Sequence, residues 1–184
     1  MYAHTMTRLF IKIYGIVILI LIGAADVHAQ PESIGTAYSF SGFSISYQHK
    51  TGTDSFIEAS IKAELGEKFL YRCDYPGASA SVCWNMILKE IVRDDVGKMR
   101  IFAGAGAHFG WSNDFKIDRG FNFGLKGRLG VESTFRRNIA ISVSVAPIIG
   151  LHMVRLEDSL KMEYFRNGLL NAIMPEIGIR YTFR

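Results

Sequence analysis

The sequence predicts an all-β chain that closes into an antiparallel, up-and-down transmembrane barrel of eight strands. Three observations carry this expectation. Apolar and polar residues alternate through seven segments, the two-residue period of a strand with one oily face. The opposite face carries charges of mixed sign with glycine, serine and alanine between them, which suits a narrow interior filled by its own side chains. Beyond residue 29 no stretch is apolar for long enough to cross a bilayer as a helix, so any crossing is made by strands.

Residues 1–29 read as a signal peptide. Arg8 and Lys12 form a basic start, residues 13–22 are nearly all apolar, and Val27 and Ala29 place small residues before Gln30, the pattern of a cleavage site. The alternative, an uncleaved anchor, asks a short apolar run to span a bilayer. No cysteine follows the site, which argues against lipid attachment. Residues 30–184 then form one barrel domain. The net charge of +4 comes from lysines and arginines scattered along the chain, and without a basic stripe no nucleic-acid partner is expected.

The strands follow in order. Residues 43–49 set Phe43, Ile45 and Tyr47 against Ser44, Ser46 and Gln48. Residues 56–65 place Ile57, Ala59, Ile61, Ala63 and Leu65 opposite Glu58, Ser60, Lys62 and Glu64. Residues 79–88 oppose Ala80, Val82, Trp84, Met86 and Leu88 to Ser81, Cys83 and Asn85. Residues 99–111 set Ile101, Ala103, Ala105, Phe109 and Trp111 against Arg100, Gly104, Gly106, His108 and Gly110. Residues 120–135 alternate Phe121, Phe123, Leu125, Gly127, Leu129 and Val131 with Asn122, Lys126, Arg128 and Glu132. Residues 139–153 put Ile141, Val143, Val145, Ile149 and Leu151 opposite Ser142, Ser144, Gly150 and His152. Residues 173–183 end the series, with Ile177, Ile179, Tyr181 and Phe183 facing away from Glu176, Arg180 and Thr182.

Connections 50–54, 94–98 and 136–138 are short and polar, while 66–78, 112–119 and 154–170 are longer. That asymmetry is the one shown by membrane barrels, with short turns at one end and larger loops at the other. An even strand number needs an eighth strand. Residues 34–40, turning at Ser41-Gly42, are the first choice; residues 160–166, joined by Asn167-Gly168, are the rival. Tyr47, Phe56, Phe135, Tyr181 and Phe183 lie near the short-turn ends, and Trp111, Phe115, Phe121 and Phe123 near the long-loop ends, as two aromatic belts would.

A soluble barrel would bury the apolar face around a ligand, whereas a membrane barrel shows it to lipid. Mixed charges among small residues favour the second arrangement. The end of the chain adds a resemblance. Ile177-Gly178-Ile179-Arg180-Tyr181-Thr182-Phe183 resembles the closing strand of bacterial outer-membrane proteins, with Arg184 following the phenylalanine. Residues 30–184 resemble the small eight-stranded outer-membrane barrel family as a whole. The resemblance implies a cell outer-membrane location and assembly by the insertion machinery, but carries no catalytic or binding residue with it.

The candidate lumen network is Glu58, Lys62, Glu64, Arg100, Lys126, Arg128, Glu132, Glu176 and Arg180. Cys73 and Cys83, the only cysteines, are either a disulfide formed after export or two free thiols. His108 and His152 fall on the inner face, where Glu132 or Glu176 could complete an acid–base pair; a hydrogen-bonded packing role is the simpler reading. Gly104-Ala105-Gly106 lies inside a strand with no helix after it, so it is not a dinucleotide loop. The expectation is therefore a monomeric, non-enzymatic barrel with a plugged lumen, a structural or loop-mediated role, no cofactor and no metal, and outer-membrane lipid as its surroundings. The rivals are a narrow channel or carrier for small apolar molecules, a lumenal or rim enzyme, and a secreted soluble lipid-binding barrel.

Overall fold

The structure, a computed structural model, describes residues 32–64, 67–68, 71–72, 77–93, 97–114, 117–135, 138–156 and 159–183. The signal peptide expected at residues 1–29, and Cys73, Phe115 and Arg184, lie outside the described residues.

Among the described residues twelve strands and one short helix succeed one another. They are β1 (Glu32–Ser39), β2 (Gly42–Lys50), β3 (Ser55–Glu64), β4 (Glu67–Lys68), β5 (Tyr71–Arg72), β6 (Gly77–Arg93), β7 (Gly97–Asp114), β8 (Ile117–Phe135), β9 (Ile139–Val145), β10 (Ile148–Leu156), β11 (Ser159–Tyr164), α1 (Arg166–Leu170) and β12 (Glu176–Thr182). Each main strand pairs antiparallel with its neighbour, and β12 returns to pair with β1, Tyr181 opposite Ile34. β9 and β10 share one flank of β8, and on their other flank lie β12 and β11 respectively. Counting β9–β10 and β11–β12 as interrupted single strands, the wall has eight strands and is closed. β4 and β5 pair, among the described residues, only with each other.

Closure follows from the side-chain pattern. A strand with one apolar face cannot leave its edges unpaired in lipid. Here the apolar face points out: Ile61, Leu125, Leu129, Ile141 and Ile179 are all more than two-fifths exposed, while Glu58, Arg128, Glu132 and Arg180 are each at most 7% exposed. That is the reverse of a soluble barrel. At the rims, Trp111 meets Phe121 edge-on with centroids 4.2 Å apart, and Tyr181 meets Phe183 at 5.4 Å.

Several expectations change in detail. Both candidates for the eighth strand form strands: β1 completes the wall, and β11 extends β10 as a hairpin. Asn167-Gly168 makes no hairpin, because it lies within α1. Of the long loop expected at residues 112–119, residues 112–114 and 117–119 are instead strand, with a register shift between Ser112 and Asp114. A ladder needs paired backbone, not an apolar face, so it continues past the oily belt. β12 starts three residues later than expected, after Pro175, which has no N–H to donate to a ladder. Phe56 is not in a belt: it is 2% exposed and turns inward against Phe102, centroids 5.5 Å apart.

Candidate functional site: the lumen and its upper mouth

Even-numbered residues of β7 and β8 point inward because the pleat alternates, and the same rule brings Glu58 of β3 and Arg180 of β12 into the lumen. There they form a chain of alternating charge: Arg128, Glu58, Arg180, Glu132, Arg100. Arg128 pairs with Glu58, and Arg180 pairs with Glu132. Arg180 Nη2 also lies 2.7 Å from Glu58 Oε2, and Arg100 Nη2 lies 2.6 Å from Glu132 Oε1. Gln48 Nε2 donates to Glu58 Oε2 at 2.7 Å, and Gln48 Oε1 accepts from Arg100 Nη2 at 3.0 Å. Two rings sit beside the chain, with Arg100 4.6 Å over Phe56 and Arg128 5.1 Å over Phe102. Five charges on four strands are thus tied across the barrel.

Above this chain the lumen is lined with hydroxyls. Lys62 Nζ donates to Glu176 Oε1 at 2.9 Å and to Ser41 Oγ at 2.6 Å. Lys126 Nζ donates to Ser81 Oγ at 2.9 Å, and Ser81 Oγ is 2.8 Å from Ser60 Oγ. Glu64 is buried on the same face. These groups border a narrow polar cavity that also touches Ser44, Ser79, Ser142 and His108.

The upper mouth is occupied by the chain itself. Phe165, 1% exposed, turns into the lumen between His108 and His152, with ring centroids 6.1 and 6.2 Å away. Asp114, at the tip of β7, accepts the N–H groups of Arg166 at 2.9 Å and Asn167 at 2.8 Å, and Asn167 Nδ2 donates to Asn113 O at 2.9 Å. One carboxylate therefore anchors the first turn of α1, whose N–H groups have no intrahelical partner.

The histidines do not meet the glutamates proposed for them. His108 Nε2 is 2.9 Å from Asn122 Oδ1, and Asn122 Nδ2 donates to Ser112 Oγ at 2.9 Å. Neither ring nitrogen of His152 has a partner among the described residues. Glu132 and Glu176 are engaged with Arg100, Arg180 and Lys62. Cys83 is a buried thiol on the inner face of β6, with no disulfide partner among the described residues, and Cys73, the other half of the expected pair, lies outside them; the register partners of Cys83 in the wall are Glu58 and Gly106. Among the described residues no group of three metal-binding side chains converges.

Sequence reasoning put Gln48 on the polar face but left it out of the network, and it missed Phe56, Phe102, Asp114 and Phe165 as lumen residues. Continuing the even-numbered face of β7 through Phe102 to Asp114 would have found two of them. Nothing local to Phe165 signals its inward turn, since its contacts come from β7 and β10.

No protein-family model matches the chain, and no curated protein matches it. Solved structures that are similar to it include the N-terminal β-barrel domain of Pseudomonas aeruginosa OprF, at TM-score 0.47 and 15% identity over 83% of this chain and 96% of that one. They also include Ail, the attachment invasion locus protein of Yersinia pestis, at TM-score 0.36 and 15% identity over 83% of this chain and 94% of that one. Ail in a phospholipid bilayer nanodisc matches at TM-score 0.38 and 15% identity over 83% of this chain and 97% of that one.

Proposed function

We propose that the protein is exported, cleaved after Ala29, and inserted as a monomer into a bacterial outer membrane, where it acts as a structural barrel that presents its outer loops rather than as an open pore or an enzyme. The observation that carries this reading is the distribution of faces: an apolar exterior, and an interior crossed by the Arg128–Glu58–Arg180–Glu132–Arg100 chain. Only a closed barrel satisfies its backbone in lipid with that arrangement. Each charge in the chain has an opposite neighbour, so the lumen is sealed by groups that would be costly to separate. The chain lies beneath a second obstruction, Phe165 held between the two histidines. With Glu132 and Glu176 committed to arginine and lysine, neither completes an acid–base pair with His108 or His152, which supports a packing role for both.

Planar-bilayer recording of the refolded protein tests the sealed lumen. The expected result is folded, heat-modifiable protein that inserts without steady conductance. Stable channels from the unmodified chain would overturn the reading in favour of a pore.

A further inference from the structure

Residues 165–175 pair in no ladder of the wall. β11 ends at Tyr164, β12 begins at Glu176, and between them the chain turns inward. Phe165, Asn167 and Gly168 are buried, as is Met174. Gly168 lies on Ile148, which is buried on β10; a Cβ at position 168 would stand 2.4 Å from Ile148 O, so the close approach requires glycine. Among the described residues two backbone bonds tie this segment to the backbone of the wall. Phe165 N donates to Gly150 O at 2.9 Å, and Ala146 N donates to Asn171 O at 3.3 Å. Its remaining anchors are side chains of the β7 tip and the seat of the Phe165 ring. α1 itself has five residues and no side-chain cap from Phe165, so its first N–H groups depend on Asp114.

The seat is well filled by the ring and poorly satisfied by polar groups. Four buried polar atoms around it have no hydrogen-bond partner among the described residues: both ring nitrogens of His152, Asn113 Oδ1 and Asn167 Oδ1. His152 and Asn167 are 1% and 2% exposed. The Asn167 amide is oriented by its Nδ2, which donates to a carbonyl, so its unpartnered atom is an acceptor. Buried polar atoms are normally paired, and these four cluster about one segment of the chain. Water would reach all of them if that segment moved out. Against this stand the burial of Phe165 and Met174, which favours the closed arrangement, and the two bonds to Asp114. Beneath the seat lies the polar cavity, bordered by Ser79, His108 and Lys126.

We propose that residues 165–175 are a lid on the upper mouth, which swings out with Phe165 and opens the polar cavity as a blind vestibule. Asp114 is its latch and Phe165 its stopper. The lid opens without unfolding the wall, because the ladders of β10, β11 and β12 lie outside the moving piece. Closing strands His152, Asn113 and Asn167 without partners; opening hydrates them and exposes apolar surface instead, so the two arrangements oppose each other. Water and small polar solutes enter the open vestibule and do not pass, because the chain from Arg128 to Arg100 stays shut beneath it. The lid thus adds a gate above the sealed lumen and leaves that reading as it stands.

The test uses the full mature barrel in phosphatidylcholine nanodiscs, with Cys73→Ser, Cys83→Ser and Ser79→Cys, and methyl methanethiosulfonate as probe. Reaction at position 79 is read by peptide mass, and heat-modifiable mobility establishes that each variant is folded. The thiol should react slowly in this background and about tenfold faster or more with Phe165→Ala. Adding Asn113→Cys and Asn167→Cys, oxidised to a disulfide, should stop the reaction, and the same protein kept reduced should react. A pair that will not oxidise shows that the segment does not rest on β7, and equal reaction with the mouth clamped or unclamped shows that the probe enters elsewhere; either overturns the lid. Amide exchange gives a second readout in the unmodified chain. Arg166 and Asn167 should exchange about a hundredfold faster than the β8 ladder, at a rate insensitive to urea, as a local opening does. Exchange only at the rate of the β8 ladder would mean that the segment leaves when the wall unfolds, and would overturn the lid. Phe165→Ala should still insert without steady conductance; channels from this variant would show that the vestibule is not blind.

Discussion

Arg180 and Glu58 meet at 2.7 Å inside the barrel although 122 residues separate them in the chain. Glu58 sits on the third strand and Arg180 on the last, so their contact exists only once the wall has closed. Arg180 is shared with Glu132, and Glu58 with Arg128, which makes this contact the middle link of the charge chain.

The first prediction concerns that chain. Glu132→Ala leaves Arg100 and Arg180 with one carboxylate fewer, and should cost about 3–5 kcal/mol, the usual penalty for stranding a buried charge. Removing Arg100 as well should cost less than the sum of the two single changes. Urea titration of folding in liposomes, followed by emission of the outward-facing Trp84 and Trp111, measures both. Strict additivity would show that the pair is not coupled.

A second prediction separates the two faces. Leu129 is 52% exposed on the outer face, and Leu129→Arg should cost about 2–4 kcal/mol near the bilayer midplane. Ser60→Arg places its charge inside, where Ser60 is 2.8 Å from Ser81, and its effect should be set by packing against Lys126 and Lys62 rather than by lipid. The same titration in bilayers of increasing thickness should change the penalty at Leu129 and leave that at Ser60 constant.

The mouth gives a third. Asp114→Ala removes the acceptor for two N–H groups of α1, at a cost of about 1–3 kcal/mol. Amide exchange at Arg166 and Asn167 should accelerate while β2 and β3 stay protected. Unchanged exchange would mean that Phe165, not Asp114, holds the segment.

The fourth concerns assembly. Phe183 is 47% exposed and packs edge-on against Tyr181, where an aromatic ring suits a half-wet rim. Phe183→Ser should lower the amount of heat-modifiable protein in outer-membrane fractions, whereas deleting Arg184 should not. Equal assembly of the Phe183 variant and the parent would make the closing-strand resemblance incidental.

The period of two was legible throughout, because each residue's face depends only on its neighbours in sequence. It put Glu58, Lys126, Arg128, Glu132 and Arg180 on one side of the wall and Leu125, Leu129 and Ile179 on the other. Pairing was not legible in the same way. Which carboxylate meets which arginine depends on strand stagger around a closed wall, and no segment carries that by itself. The inward turn at Phe165 was hidden for a similar reason: Asp114, which anchors it, lies 52 residues before Arg166. Asn167-Gly168 carries a local hairpin signal, and that tertiary anchor outweighs it. The strand break at Ala146-Pro147 passed unnoticed because the alternation of faces continues through it.

The account stands most directly on which face of the wall meets lipid, and one measurement addresses it. Single spin labels are placed in turn at residues 125–132 of β8, with Cys73 and Cys83 replaced by serine, and the protein is reconstituted in liposomes. Collision with oxygen, which concentrates in lipid, is compared with collision with a water-soluble nickel chelate. The account predicts a period of two, with the labels at Leu125, Leu129 and Val131 open to oxygen and closed to nickel, and those at Lys126, Arg128 and Glu132 shielded from oxygen. Nickel access at Leu125, Leu129 and Val131, or no alternation along the strand, would contradict it.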